Sequence, residues 1–141
     1  MSIIYEFVKL QEGQFRSKAY PDYKQWSIGY GTKSFKGEVI TEQEAVLRLR
    51  RYVDNVVMPH VAKYGSLLKP YQLAALASFL YNTGRSDSNL FKLLNEPLAL
   101  KAFWLSHYLT ADGIVLKELI RRRRSEWYMF TTGRAVREPN F

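Results

Sequence analysis

The 141-residue sequence contains no cysteine, which removes disulfide staples, thiolate metal sites and cysteine nucleophiles together and leaves the redox compartment open. Histidine is nearly as scarce. His60 and His107 fall on separate segments, so no metal site and no cofactor are expected. Long apolar runs are missing too: nothing approaches the roughly 20 residues needed to cross a bilayer. Glu6 interrupts the opening stretch Met1 to Leu10, so neither a secretory leader nor stable membrane insertion is expected. Acidic residues are also short, at 13 against 21 lysines and arginines, for a net charge of +8. A surface this basic favours a polyanionic partner, and nucleic acid, anionic lipid and bacterial cell wall all qualify. There are no internal repeats and no low-complexity linker. With 47% hydrophobic and 24% charged residues, the chain is expected to fold alone as one domain over residues 1–141, as a monomer.

The apolar periodicity predicts an opening helix, with Ser2 as a possible cap, Ile3, Ile4, Phe7 and Val8 on one face, and Gly13 as the stop signal. From Ala19 to Ile40 aromatic and β-branched residues are broken by Gly29, Gly31 and Gly37, which predicts short antiparallel strands, the only β-like stretch. Thr41 and Glu44 form a capping box for a helix with Leu49, Tyr52, Val53, Val56 and Val57 on its apolar face, and Pro59 is expected to end it. Pro70 opens a helix that is apolar almost all round from Leu73 to Tyr81, hence a buried centre, closed by Gly84. Asp87 or Ser88 can cap a short helix through Leu94, another runs from Pro97 to about Leu109, and the last takes in Lys117 to Phe130. The fold class is therefore α+β, with a small sheet segregated near the N-terminus.

The window from Glu12 to Thr32, EGQFRSKAYPDYKQWSIGYGT, is where chemistry could reside. Glu12 sits in the last turn of a helix, where partial negative charge disfavours an anion and suits a proton donor. Asp22 follows in the loop entering the sheet, and Ser27 stands on a strand before a Gly-Tyr-Gly turn. Glycoside hydrolysis needs an acid for the leaving oxygen and an ionised carboxylate to activate water, roles that Glu12 and Asp22 could take, with Ser27 holding the water. On the residues alone a plainer account stands beside this one: a Glu before Gly is often a solvated helix end, and Pro-Asp is often a turn.

The segments EG, FRSKAY, Y-x-D and WSIGYGT resemble the signature of the phage-type lysozymes and endolysins, glycoside hydrolase family 24. QLAALASFLYNTG at Gln72 to Gly84 is similar to that family's central helix, and ELIRRRRSEWYMF at Glu118 to Phe130 to its arginine-rich C-terminal helix. The resemblance implies a lysozyme-like fold with a cleft between a small lobe at about residues 13–40 and a helical lobe at about 59–141 that packs with the N-terminal helix. A connecting helix at about 41–58 would join them. It implies hydrolysis of the β-1,4 bond between N-acetylmuramic acid and N-acetylglucosamine in peptidoglycan glycan strands, by an inverting route. Glu12 would then be the acid, Asp22 the base and Ser27, in place of the usual Thr, the water ligand. Asn82 would bind sugar, and one arginine of Arg121 to Arg124 would orient Glu12. Trp26 and Tyr30, flanking Ser27, are the aromatic candidates for sugar contact. The family has one residue fewer between its Glu and Asp and one more between Asp and Thr. An extra residue near Gln14, offset by a shorter strand entry, accounts for this and leaves Glu12 and Ser27 in place.

The remaining features have plainer readings. The Arg121 to Arg124 run points in four directions on a helix, so most of these side chains are expected to be solvated or paired, and nucleic-acid binding is not expected. Phe79, Tyr81, Phe103 and Phe130 are expected in the core. Two rivals to a hydrolytic muramidase remain: a lytic transglycosylase, which needs Glu12 but no water-activating Asp, and a non-catalytic cationic module that binds wall or nucleic acid. Without a leader, the chain is expected in a bacterial host's cytoplasm before release to the wall, or packaged in a virion.

Overall fold

The computed structural model describes residues 2–141; Met1, the first residue of the expected domain span, lies outside the described residues. The chain runs through α1 (Ser2–Glu12), β1 (Arg16–Asp22), β2 (Gln25–Gly29), β3 (Thr32–Ser34) and α2 (Glu42–Tyr52). A wide π turn (Val53–Val57) joins α2 to α3 (Met58–Val61). Then follow α4 (Pro70–Thr83), a 3-10 turn (Asn89–Lys92), α5 (Pro97–Ser106), β4 (Thr110–Ala111), β5 (Ile114–Val115) and α6 (Lys117–Thr132). No helix among the described residues is long and apolar enough to cross a membrane.

Local chemistry explains most of these boundaries. Ser2 is itself helical rather than the cap of α1, and Gly13, at φ 81°, closes the helix by donating to the Lys9 carbonyl. Thr41 caps α2 by accepting from the Glu44 amide, but only this half of the capping box forms, because the Glu44 carboxylate takes the guanidinium of Arg48. Pro59 does not end the helix. The π turn just before it widens the backbone where the proline ring would meet a carbonyl one turn back, so helix continues to Val61. The face buried by this long element is Ala45, Leu49, Val53, Val57 and Val61, whereas Tyr52 and Val56 are exposed. Ser88, not Asp87, caps the turn at 89–92, which is 3-10 rather than α.

The three-stranded sheet is antiparallel in the order β1-β2-β3. Its first strand bulges: Arg16 pairs with Gly29 but Tyr20 pairs with Ser27, so Ser17 to Ala19 stand opposite Ile28 alone. The bulged residues bond instead to residues 38–40, through Lys18 and Val39. The sheet is not the only β structure. Asp112 and Gly113, both at positive φ, form the two-residue turn of the β4–β5 hairpin, and this Asp-Gly signal went unread in the sequence.

The helices enclose one continuous core. α4 is its axis, buried from Ala74 to Tyr81, with α1 and α6 packed on it and α5 against α6. α2 touches both the sheet and α1, and Gly29 lets β2 press on it: a Cβ there would stand 2.9 Å from that of Ala45. Phe79, Tyr81 and Phe130 lie in this core with Phe103 packed against it, while His60 and His107 rest on the rings of Phe91 and Phe103. Leu49→Ala, at a 2% exposed position, is expected to cost about 2–5 kcal/mol of unfolding free energy, and Val56→Ala, at 52%, no more than about 0.5 kcal/mol, by urea denaturation.

Candidate active site

The end of α1 delivers Glu12 to the wall of a cleft. α1 packs on α4, Gly13 turns the chain sharply away, and the Glu12 side chain is left 15% exposed. Its Oε2 accepts from Nη1 of Arg122 on α6. Its Oε1 lies against Gly31, where a Cβ would collide with it, so the glycine at φ 80° is required by both its backbone and its neighbour. Arg122 is the arginine of the run that meets Glu12.

That arginine belongs to a buried ionic cluster. Arg122 also donates to Glu126 Oε2 at 3.3 Å and to the Ser78 carbonyl at 3.1 Å. Glu126 further accepts from Ser78 Oγ at 2.6 Å and Trp104 Nε1 at 3.1 Å. Arg123 donates to Glu126 and, at 2.6 Å, to Asn82 Oδ1. Its Nε stands 2.9 Å from Glu126 without the alignment of a hydrogen bond. Burial works against charge on both guanidiniums. At Arg122 the carboxylates of Glu12 and Glu126 outweigh it and hold the proton more tightly than usual, whereas at Arg123 burial prevails over Glu126. Arg121 instead ties α1 to the tail through Gln11 and the Arg137 carbonyl, and Arg124 reaches the carbonyl of Phe141. The four arginines thus point in different directions and are paired as expected, Arg122 and Arg123 at depth.

The facing wall is the sheet. Tyr20 and Asp22 on β1, Gln25 and Ser27 on β2 and Lys33 on β3 share one face, because opposed residues and residues two apart point the same way. Ser27 Oγ is buried and donates to Asp22 Oδ2 at 2.9 Å, so the bulge and the tight turn at Tyr23 and Lys24 bring the serine and the second carboxylate together. Burial raises the pKa of the Tyr20 phenol, and the charges of Asp22 and Glu12 raise it further, so this ring lies within the field of both carboxylates. Glu12, Tyr20, Asp22, Gly31, Tyr52, Tyr81 and Asn82 line one cavity of about 430 Å³. It continues past Asp22, Gln25, Asn82 and Thr83 into a neighbouring one of about 730 Å³, walled by Lys24, Tyr108 and the β4–β5 hairpin.

Both aromatic candidates stand elsewhere. Trp26 leaves β2 on the face opposite Ser27 and does not line either cavity. Tyr30 is buried at 2% exposure, donates to Glu42 Oε1 at 3.1 Å and accepts through its carbonyl from Tyr81. Asn82 does line the groove. Sequence reasoning missed Tyr20, Gln25, Lys33, Tyr52 and Tyr108 in the groove; the first three were available from the two-residue period of the strands once the register was known.

A family model described as phage lysozyme matches residues 9–126. No curated protein sequence matches the chain. Among solved structures, the chain is similar to the muramidase domain of SpmX from Asticaccaulis excentricus, at 28% identity over 94% of this chain and 97% of that one, with a TM-score of 0.73. It is also similar to the endolysin from Escherichia coli O157:H7 phage FAHEc1, at 24% identity over 96% and 95% of the two chains, with a TM-score of 0.75. The active form of P1 phage endolysin gives 16% identity over 94% and 85%, with the same TM-score of 0.75. The small antiparallel sheet set against helices is a lysozyme-like fold.

Tyr81, at the back of the groove, donates to the Tyr30 carbonyl at 2.7 Å, and burial followed by the Glu12 charge raises its pKa well above the ordinary 10.0. The folded state therefore holds this proton more tightly than the unfolded chain. The resulting stability is fully present below about pH 10 and lost as pH rises beyond it. Urea denaturation from roughly pH 8 to 11 is expected to show this decline, with a shallower slope for Tyr81→Phe.

Proposed function

Because the chain belongs to the phage lysozyme family, and so is a glycoside hydrolase acting on peptidoglycan, we propose that it cuts the β-1,4 bond between N-acetylmuramic acid and N-acetylglucosamine with Glu12 as the proton donor. The observation that carries this reading is the placement of Glu12. Arg122 holds Oε2, while Oε1 accepts no hydrogen bond among the described residues and lies at the groove surface beside Gly31. One oxygen is anchored and the other is free to carry the proton to a leaving glycosidic oxygen. Fixing the carboxyl in this way removes orientational freedom that the transition state would otherwise have to lose.

Asp22 is the water-activating carboxylate. Its Oδ2 takes the hydroxyl of Ser27, so Oδ1 is the atom available to a water molecule arriving from the groove. Ser27 is thereby a positioning residue for Asp22 as well as a neighbour of that water. Its smaller side chain lacks only the methyl of the family's threonine, and the hydroxyl's bond is made. An acid on the α1 side and a second carboxylate on the sheet, with sugar between them, is the arrangement of a glycosidase, and the assignment of Asp22 to water rather than to the sugar makes the route an inverting one. Asn82, fixed by Arg123, would present its amide to the sugar, and Tyr52 would offer a ring edge.

The division of labour follows the fold. The sheet at about residues 13–40 and the helices from about 59 onward act as the lobes of the cleft, joined by the helix beginning after Thr41. One molecule suffices, since Glu12, Asp22 and Asn82 come from a single chain. The substrate partner is the glycan strand rather than nucleic acid. Action on a host wall from the cytoplasmic side after membrane opening, or from a virion, fits such an enzyme.

Glu12→Gln is expected to lower turnover on purified peptidoglycan by about two to four orders of magnitude, and Asp22→Asn by a comparable factor, read from released muropeptides by mass. Wild-type products are expected to carry reducing ends. A 1,6-anhydro end, with activity retained in Asp22→Asn, would make the chain a lytic transglycosylase instead, and wall binding with no product at all would make it a non-catalytic cationic module.

A further inference from the structure

Lys33 lines the groove with no carboxylate of its own. It leaves β3 opposite Ser27, on the face that carries Asp22, and lines the same cavity as both proposed catalytic carboxylates. Its chain neighbours Thr32, which borders the same cavity, and Ser34 are half-buried, while Lys33 is exposed. The acid closest along this loop, Glu38, is already engaged by Ser34 at 2.7 Å and by two nitrogens of Arg48 at 2.6 and 3.0 Å. Lys33 takes part in none of the ion pairs found among the described residues. The two carboxylates that share its cavity each make a bond elsewhere, Glu12 through Oε2 to Arg122 and Asp22 through Oδ2 to Ser27, and neither is paired with Lys33.

We infer that Lys33 is a specificity-determining residue that receives a free carboxylate of the stem peptide borne by the glycan. This rests on the peptidoglycan-hydrolase reading and names which part of that substrate the groove recognises. Strands in a sheet lie about 4.8 Å apart, so Lys33 stands one strand beyond Ser27 and two from Asp22. That offset sets Lys33 to the side of the proposed base Asp22, so its target is a substituent of the sugar chain rather than the bond that is cut. N-acetylglucosamine offers only neutral hydroxyl and amide groups. Each N-acetylmuramic acid carries, through its lactyl ether, a peptide with free carboxylates. A mobile ammonium on a four-carbon stem is a point charge that tolerates the variable geometry of such a peptide.

The test compares kcat/KM for two substrates, intact peptidoglycan and the same peptidoglycan with its stem-peptide carboxylates amidated by carbodiimide and ammonia, which removes their charge and leaves the glycan and the peptides in place. The ratio of the two is expected to fall about three- to tenfold in Lys33→Gln and to stay near the wild-type value in Lys33→Arg, which keeps the charge. Raising salt should erode the wild-type preference and leave the ratio for Lys33→Gln flat. An equal loss on both substrates would reassign Lys33 to a sugar contact and overturn the inference, as would an unchanged ratio. In either case the hydrolase reading would survive, because the wild type still cleaves. If the wild type released no muropeptides from either substrate, that reading would fall and this one with it.

Discussion

A single buried guanidinium organises this protein. Arg122 reaches Glu12 at the end of α1, Glu126 on its own helix and the Ser78 carbonyl on α4, and Glu126 in turn holds Ser78 and Trp104. Four helices therefore meet at one ionic node whose outer arm is the proposed acid. An unpaired charge at such depth would cost several kcal/mol, so each member depends on the others. The acid is consequently held by the same contacts that hold the helical core, rather than by a loop of its own.

The two sides of the groove are built on different terms. The helical side fixes Glu12 and Asn82 through neighbouring arginines of one helix, while Nε and Nη1 of Arg123 are left at depth without hydrogen bonds. The sheet side is thin and assembled from short strands, and it gains definition from a bulge, a tight turn and the Ser27 to Asp22 hydrogen bond. Tyr81 links the two, rooted in α4 and bonded to the backbone of Tyr30 just after β2. Glycines make the near approaches possible, Gly29 against α2 and Gly31 against the acid itself.

The helices, the small sheet and the Glu12, Asp22, Ser27 set were legible from periodicity, caps and a family-like motif. What stayed hidden was decided by partners distant in the chain. Nothing local in Tyr30 says that it turns into the core, and nothing in the arginine run says which member meets Glu12, since both depend on how α1 and α6 dock. Trp26 was misplaced because adjacency to Ser27 was read as nearness, when strand alternation sends neighbours to opposite faces. Pro59 was read as a stop because its effect was judged without the turn before it.

That turn sets the phase of the helix. The buried stripe Ala45, Leu49, Val53, Val57, Val61 advances four residues at a time, and in an unbroken α-helix each such step would rotate the side chain by about 40° around the axis. Three or four steps would carry the stripe well off the core. The wide turn at Val53–Val57 unwinds the helix locally and returns the later valines to the inner side. The wide turn therefore acts as a splice that takes in one extra residue between two helical registers; losing that residue would keep Val57 and Val61 on the inner side, about 20° and 60° round from Ala45, but would press the Pro59 ring on the carbonyl one turn back.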